Sequence, residues 1–78
     1  MRALRYRVVA SSIVDRRRLL AVGDDGEYYL VSLNGVNPQP VPVESREAKT
    51  LEYSREWVPA HDHTPHTLDD LANQGTYR

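Results

Sequence analysis

Residues 18–33 read RLLAVGDDGEYYLVSL, and this stretch decides the fold. Two apolar runs rich in β-favouring residues flank a Gly-Asp-Asp-Gly turn, which is a strong short-range signal for a β-hairpin. Apolar side chains fall on both faces of this hairpin, so both faces need cover from other elements. A chain of 78 residues buries only a small core. A second subunit could supply one of the two covers.

The turn chemistry also predicts how the two strands pair. If Gly26 takes the left-handed position of a bulged three-residue turn, Val22 pairs with Tyr28. A two-residue turn would instead set Asp24 opposite Glu27, and like charges in that position are unfavourable. We therefore predict the bulged turn.

Upstream of the hairpin, residues 3–9 read ALRYRVV and alternate between apolar and charged side chains. This period of two predicts a strand with one buried and one solvated face. The apolar pattern continues weakly to Val14 and breaks at residues 15–17, where we predict a second turn. Connections this short favour antiparallel pairing, so the first three strands form a meander.

Downstream of the hairpin, prolines stand at alternate positions 38, 40 and 42. Prolines spaced by two in an extended strand lack their N–H groups on the same side. Such a segment is typical of an edge strand or an extended linker. The Pro-x-x-Pro spacing of a groove ligand is absent from these three positions.

Residues 45–58, SREAKTLEYSREWV, fit two templates. Ser45 is a good helix N-cap, and the composition favours a helix that ends before Pro59. The alternative is a strand, because Leu51, Tyr53 and Trp57 alternate with polar residues. We predict the helix and keep the strand, which would give a mainly-β fold, as the alternative.

The last element is a short helix that starts near Thr64-Pro65 or at Thr67 and ends at Gly75. Together these patterns predict an α+β fold in one domain of residues 1–78. Residues 1–44 form a small antiparallel β-meander of three to four strands with a proline-rich edge. Residues 45–78 form a helical or mixed C-terminal part.

The composition limits the class of protein. The chain has no cysteine, so neither disulfides nor thiolate metal ligands can stabilise it. No apolar run approaches the roughly 20 residues that a membrane span needs, and the N-terminus lacks the pattern of a signal peptide. We therefore expect a small cytoplasmic protein without membrane contact.

The net charge of −1 hides an uneven distribution. Six arginines against one aspartate give residues 1–20 a net charge of +5, whereas four basic and ten acidic residues give residues 21–78 a net charge of −6. Most such charges lie on solvated faces or pair across the domain. A basic surface for an acidic partner is the alternative.

The function that these features predict is binding rather than catalysis. We expect a non-enzymatic accessory or regulatory module that needs no cofactor, binds another protein and forms a homo-oligomer. On a helix, the aromatic residues of the 45–58 segment would face away from its apolar stripe and act as interface anchors. The predicted partner-binding residues are Tyr53, Trp57 and Val58.

Two further hypotheses remain open. Arginine forks match phosphates and tyrosine stacks on bases, so a nucleic-acid surface is possible at Arg5, Tyr6, Arg7, Arg16, Arg17 and Arg18. The AHDHTPH segment could supply a three-nitrogen metal site for an enzyme, with His61, His63 and His66 as ligands. A polar loop is the simpler interpretation of that segment, because a metal site needs fixed geometry and a second shell.

Overall fold

The computed structural model describes residues 4–15, 17–33, 39–61 and 63–73. In these residues a five-stranded antiparallel sheet, in the order β4-β3-β2-β1-β5, packs with two short helices. The elements are β1 (Tyr6–Ser12), β2 (Arg18–Gly23), β3 (Tyr28–Ser32), β4 (Gln39–Val43), α1 (Ser45–Glu52), β5 (Trp57–Pro59) and α2 (Leu68–Asn73). The α+β class and the antiparallel meander are confirmed, but the sheet has five strands rather than three or four.

The central hairpin has the predicted bulged turn. Val22 pairs with Tyr28, and the N–H of Gly26 donates to the Gly23 carbonyl at 2.9 Å. The N–H of Gly23 donates in turn to the Glu27 carbonyl at 2.9 Å, which closes the hairpin. Gly26 has a φ of 83°, a left-handed conformation that glycine adopts without steric cost. The register prediction is therefore confirmed.

A bulge in β1 divides the core into two clusters. Val8 pairs with Ala21 and Ala10 pairs with Leu20, so the register shifts at Val9. The shift places Val8 and Ala10 on opposite faces of the sheet, although they are two residues apart. On the first face the buried residues are Tyr6, Val8, Leu19, Ala21, Val31 and Leu71; on the second they are Ala10, Leu20, Ala48 and Trp57.

Each face is covered by a helix of the same chain. Leu71 of α2 is fully buried against the first face, and Ala48 of α1 is fully buried against the second. Both faces carry apolar side chains, as predicted, and the helices of the same chain supply a cover for each, so no second subunit is needed for this role.

The 45–58 segment contains both of the alternatives considered for it. α1 occupies its first part, with Glu44 rather than Ser45 as the N-cap residue. Trp57 then begins β5, where it pairs with Ser12 of β1. A prediction of one element for the whole segment was wrong because the chain reverses between residues 53 and 56. This reversal creates the fifth strand.

A mutual cap starts α2. The N–H of Asp70 donates to Thr67 Oγ1 at 3.2 Å, and the N–H of Thr67 donates to Asp70 Oδ2 at 3.3 Å. This arrangement satisfies two donors that a helix start leaves unpaired. The short C-terminal helix is thus confirmed, while the predicted stop at Gly75 lies outside the described residues. Neither helix in the described ranges is long and apolar enough to cross a membrane.

Proline occurs in both edge strands of the sheet. In β4, Pro40 pairs with Val31 and Pro42 pairs with Tyr29, as the edge-strand interpretation predicts. Pro38 lies outside the described residues. In β5, Pro59 has no N–H and the N–H of Trp57 donates to the Ser54 carbonyl at 3.3 Å. A further strand therefore finds few backbone donors on either edge.

Candidate protein-binding surface

The β1–β2 connection exposes two aliphatic side chains. Ser12 is buried, and its Oγ accepts the N–H groups of Val14 at 3.2 Å and Asp15 at 3.1 Å. This bond pattern turns the chain immediately after β1, because the hydroxyl replaces the partners that a continued strand would supply. As a result Ile13 is 57% exposed and Val14 is 75% exposed.

The connection between α1 and β5 exposes an aromatic ring. The N–H of Tyr53 donates to the Lys49 carbonyl at 3.2 Å, and that of Ser54 donates to Leu51 at 3.0 Å. These bonds end the helix and fold the chain back toward the sheet. Tyr53 stays 83% exposed on the outside of this reversal, whereas Trp57 is only 7% exposed.

The two connections lie side by side at one end of the sheet. The N–H of Ile13 donates to the Glu56 carbonyl at 2.8 Å, three residues after Tyr53. The adjoining pair is Ser11 with Val58, and Val58 is 45% exposed. We name this region of the sheet the apolar end, defined by its exposed residues Ile13, Val14, Tyr53 and Val58; Val58 points to the face opposite to Trp57 and α1, because side chains alternate along a strand. Four of the five large hydrophobic residues that the described part of the chain exposes are located here.

Charged groups of both signs border the apolar end. Arg18 begins β2, and its N–H donates to the Asp15 carbonyl at 3.0 Å in the β1–β2 turn. On the neighbouring connection, Arg55 and Glu56 are exposed. An apolar centre with a polar rim is the usual composition of a protein-binding surface.

The predicted partner-binding residues fall in two environments. Tyr53 and Val58 are exposed at the apolar end, but Trp57 packs into the second-face core with Ala10, Leu20 and Ala48. Trp57 therefore does not present its ring to a partner in this structure. The predicted helix would have aligned Trp57 with Tyr53, whereas β5 turns it inward.

Two members of the apolar end lie outside the predicted partner-binding residues. The apolar pattern predicts Ile13 and Val14 as the weak continuation of the first strand. The sequence does contain a turn signal here, because a serine followed within three residues by an aspartate, as in Ser12 and Asp15, favours a turn over a strand. Two aliphatic residues inside a turn are then expected to be exposed.

The arginines of the nucleic-acid hypothesis are spread along the sheet. Arg7 pairs with Val22, which is four residues from Arg18, so these two residues are about 13 Å apart along the strand direction. Arg5 forms an exposed ion pair with Asp24, with Nε 3.5 Å from Oδ2. Tyr6 is buried, Arg17 is exposed, and Arg16 lies outside the described residues. The described arginines are therefore spaced along the sheet rather than gathered in one cluster.

The histidines of the metal hypothesis do not converge either. His61 and His63 are exposed, and His63 Nε2 lies 3.0 Å from the Ala60 carbonyl oxygen. The backbone of His66 bridges to Tyr6, with bonds of 2.7 and 2.9 Å. Across the described ranges, no three His, Asp or Glu side chains are grouped so as to hold a metal ion.

A small open pocket of about 250 Å³ lies between the start of α2 and the start of β1. Its lining residues are Leu4, Tyr6, Thr67, Leu68 and Asp69. A ligand site usually combines an apolar cavity with convergent polar groups. Thr67 is already engaged in the cap of α2. Thr67 is therefore not free to orient a ligand in this pocket.

A tyrosine–aspartate cluster lies at the opposite end of the sheet and stabilises the turn between β2 and β3. Tyr29 Oη donates a 2.5 Å hydrogen bond to Asp25 Oδ2, and the Glu27 N–H donates to Asp25 Oδ1 at 3.0 Å. The rings of Tyr6 and Tyr29 meet edge to face, with centroids 5.4 Å apart. A Cβ on Gly23 would lie 2.7 Å from Asp25 Oδ1, so the cluster needs glycine there.

The same hydrogen bond shifts the pKa values of its two partners. It raises the pKa of Tyr29 to about 12 and, with the Glu27 N–H, lowers the pKa of Asp25. Burial, followed by the charge of Asp25, raises the pKa of Tyr6. The bond stabilises the turn only while Tyr29 is neutral and Asp25 is ionised. Its contribution is therefore lost as the pH rises through about 12 or falls through the lowered pKa of Asp25.

The variant Asp25→Asn should return the pKa of Tyr29 toward the ordinary tyrosine value of about 10. The amide removes the negative charge that makes loss of the tyrosine proton unfavourable. NMR titration of ring-labelled tyrosine follows the change, with Asp24→Asn as the matched control from the same turn. Identical titration of Tyr29 in the wild type and in Asp25→Asn would show that the carboxylate is not responsible.

Comparisons with known proteins give no further identification. No protein-family model, no curated protein and no solved structure matches this chain.

Proposed function

We propose that this chain is a small, non-enzymatic protein-binding module of an accessory or regulatory kind, and that its binding surface is the apolar end. The observation that carries the proposal is the exposure of Ile13, Val14 and Tyr53 on two adjacent connections. The aliphatic groups contribute contact area, and the tyrosine adds a rigid ring with a polar tip. These groups suit recognition of another protein surface.

The rest of the fold supports this choice of surface. The core is already closed on both faces by α1 and α2, so exposure of the apolar end does not result from an incomplete core. Ser12 and Ser54 direct the two connections outward through specific hydrogen bonds. The geometry of the apolar end is thus fixed by the fold, which reduces the entropy lost when a partner binds.

Site-specific photo-cross-linking tests the proposal. The cross-linking amino acid p-benzoyl-phenylalanine replaces Tyr53 in one variant and Val41 in the control. Val41 is 56% exposed, but it belongs to β4 at the opposite edge of the sheet. In extracts of the cells that make the chain, we expect a discrete protein adduct from position 53 and none from position 41. Equal labelling from both positions, or none from either, would overturn the proposal.

A further inference from the structure

The turn between β2 and β3 contains a chemically reactive sequence, Asp25-Gly26. In an Asp-Gly pair the backbone nitrogen of the glycine can attack the carboxyl carbon of the aspartate, because glycine has no side chain to hinder the approach. A C–N bond forms, the protonated carboxyl loses its hydroxyl group and the nitrogen loses its proton, so that water leaves. The resulting succinimide ring takes up water again and opens to either aspartate or isoaspartate.

The folded turn engages both of the reacting groups in other bonds. The Gly26 N–H donates to the Gly23 carbonyl at 2.9 Å. The two carboxylate oxygens of Asp25 accept from the Glu27 N–H at 3.0 Å and from Tyr29 Oη at 2.5 Å. Ring closure moves the Gly26 nitrogen onto the carboxyl carbon, so it breaks the bond to Gly23 and displaces the carboxylate from Tyr29.

The same contacts keep the carboxyl in its unreactive, ionised form. The hydroxyl group leaves as water only from a protonated carboxyl, because an ionised one has no such leaving group. The hydrogen bond from Tyr29, and after it the one from the Glu27 N–H, lowers the pKa of Asp25. Near neutral pH the protonated form is therefore rarer in the folded turn than in an unfolded chain.

We propose that Asp25-Gly26 is a site of spontaneous isoaspartate formation that stays closed while the turn is folded, and that the Tyr29 hydroxyl is the group that protects it. Reaction then occurs when the hairpin opens locally. In isoaspartate the main chain passes through Cβ and Cγ of residue 25, which adds one carbon to the backbone and removes the carboxylate from its place beside Tyr29. The product cannot rebuild the same turn, so the rearrangement makes the opening irreversible.

Incubation of the purified chain at about pH 6, where aspartate is mostly ionised, measures the rate of this reaction. In water enriched in heavy oxygen, each ring that opens gains a labelled oxygen. Electron-transfer fragmentation of the digested chain locates isoaspartate at position 25 and distinguishes it from products at Asn34, which lies outside the described residues. We expect the folded wild type to react at least about tenfold more slowly than the same chain unfolded in urea.

Two variants with matched controls assign the protection to Tyr29. Tyr29→Phe keeps the ring and removes the hydroxyl group, and its rate should be at least about threefold higher than that of the wild type. Tyr28→Phe removes the hydroxyl group of a neighbour on the opposite face of the sheet, and its rate should stay within about twofold of the wild type. Ala48→Gly weakens α1 far from the turn, so it separates the effect of lower overall stability from the effect of the lost hydroxyl group. Circular dichroism checks that each variant folds.

Equal rates in the folded and the unfolded wild type would overturn the inference, because the turn would then give no protection. This comparison needs no variant, so it decides the matter even if Tyr29→Phe does not fold. A folded Tyr29→Phe that reacts as slowly as the wild type, or no faster than Ala48→Gly, would overturn the role of Tyr29. The apolar end lies at the other end of the sheet, and cross-linking from position 53 tests it separately.

Discussion

Replacement of Trp57 by alanine should lower the free energy of unfolding by about 3–4 kcal/mol. The ring is buried between α1 and the sheet, and it packs in one cluster with Ala10, Leu20 and Ala48. Its removal leaves a cavity that the short connection before β5 has little freedom to close. A domain of this size has a total stability of about 5–10 kcal/mol, so the variant should be marginally folded at room temperature.

Urea denaturation followed by far-ultraviolet circular dichroism measures this effect, since the variant has lost its only tryptophan. Tyr53→Ala is the matched control, because it removes a comparable ring from the same connection. Tyr53 is 83% exposed, so its loss should change the unfolding free energy by no more than about 0.5 kcal/mol. Equal effects of the two substitutions would mean that Trp57 is not a core residue.

Leu71→Ala should lower the unfolding free energy by about 3 kcal/mol. Leu71 is fully buried, and it joins α2 to the first-face residues, among them Val8, Leu19 and Val31. A helix of six residues cannot hold its structure alone, so loss of this anchor should release α2 and expose the sheet beneath it.

The control for this change is Asp69→Ala in the same helix, where the side chain is exposed. Its effect should stay within about 0.5 kcal/mol. Native-state hydrogen exchange of the β2 amides provides a second measurement, because an uncovered face should lose protection in Leu71→Ala. A change below about 1 kcal/mol in Leu71→Ala would show that α2 does not provide the essential cover of this face.

The features that the sequence predicted well are those determined by neighbouring residues. The pairing of Val22 with Tyr28 follows from Gly26 and from repulsion between Asp24 and Glu27, all within one turn. The edge position of β4 follows from Pro40 and Pro42, because proline cannot donate inside a sheet. Of the two predicted starts of α2, the structure has the one at Thr67, since the helix runs from Leu68 to Asn73.

The features that the sequence did not predict depend on contacts between distant residues. β5 is three residues long, and its strand geometry comes from pairing with β1, more than forty positions away. No local pattern around Trp57 reveals that partner. The covering of both sheet faces likewise depends on where α1 and α2 dock, which the periodicity of either helix leaves open.

The apolar end contains residues of both kinds, those whose role the sequence predicts and those whose role it does not. The residue types of Tyr53 and Val58 predict a binding surface, and the structure exposes both side chains. The β-favouring side chains of Ile13 and Val14 predict a strand, but Ser12 turns the chain before them. Tertiary context decides the role of an apolar residue more strongly than its intrinsic preference.

The central claim is that proteins dock on the apolar end, and it is tested most directly by cross-linking from position 53 in the Ile13→Ser/Val14→Ser background. These two substitutions lie on the adjacent connection and keep the cross-linker at position 53. They therefore change the apolar surface without changing the cross-linking chemistry. The account predicts that the adduct formed in the otherwise unmodified chain decreases at least about tenfold, while Val41→Ser leaves it unchanged. An adduct of equal yield in both backgrounds would contradict the claim.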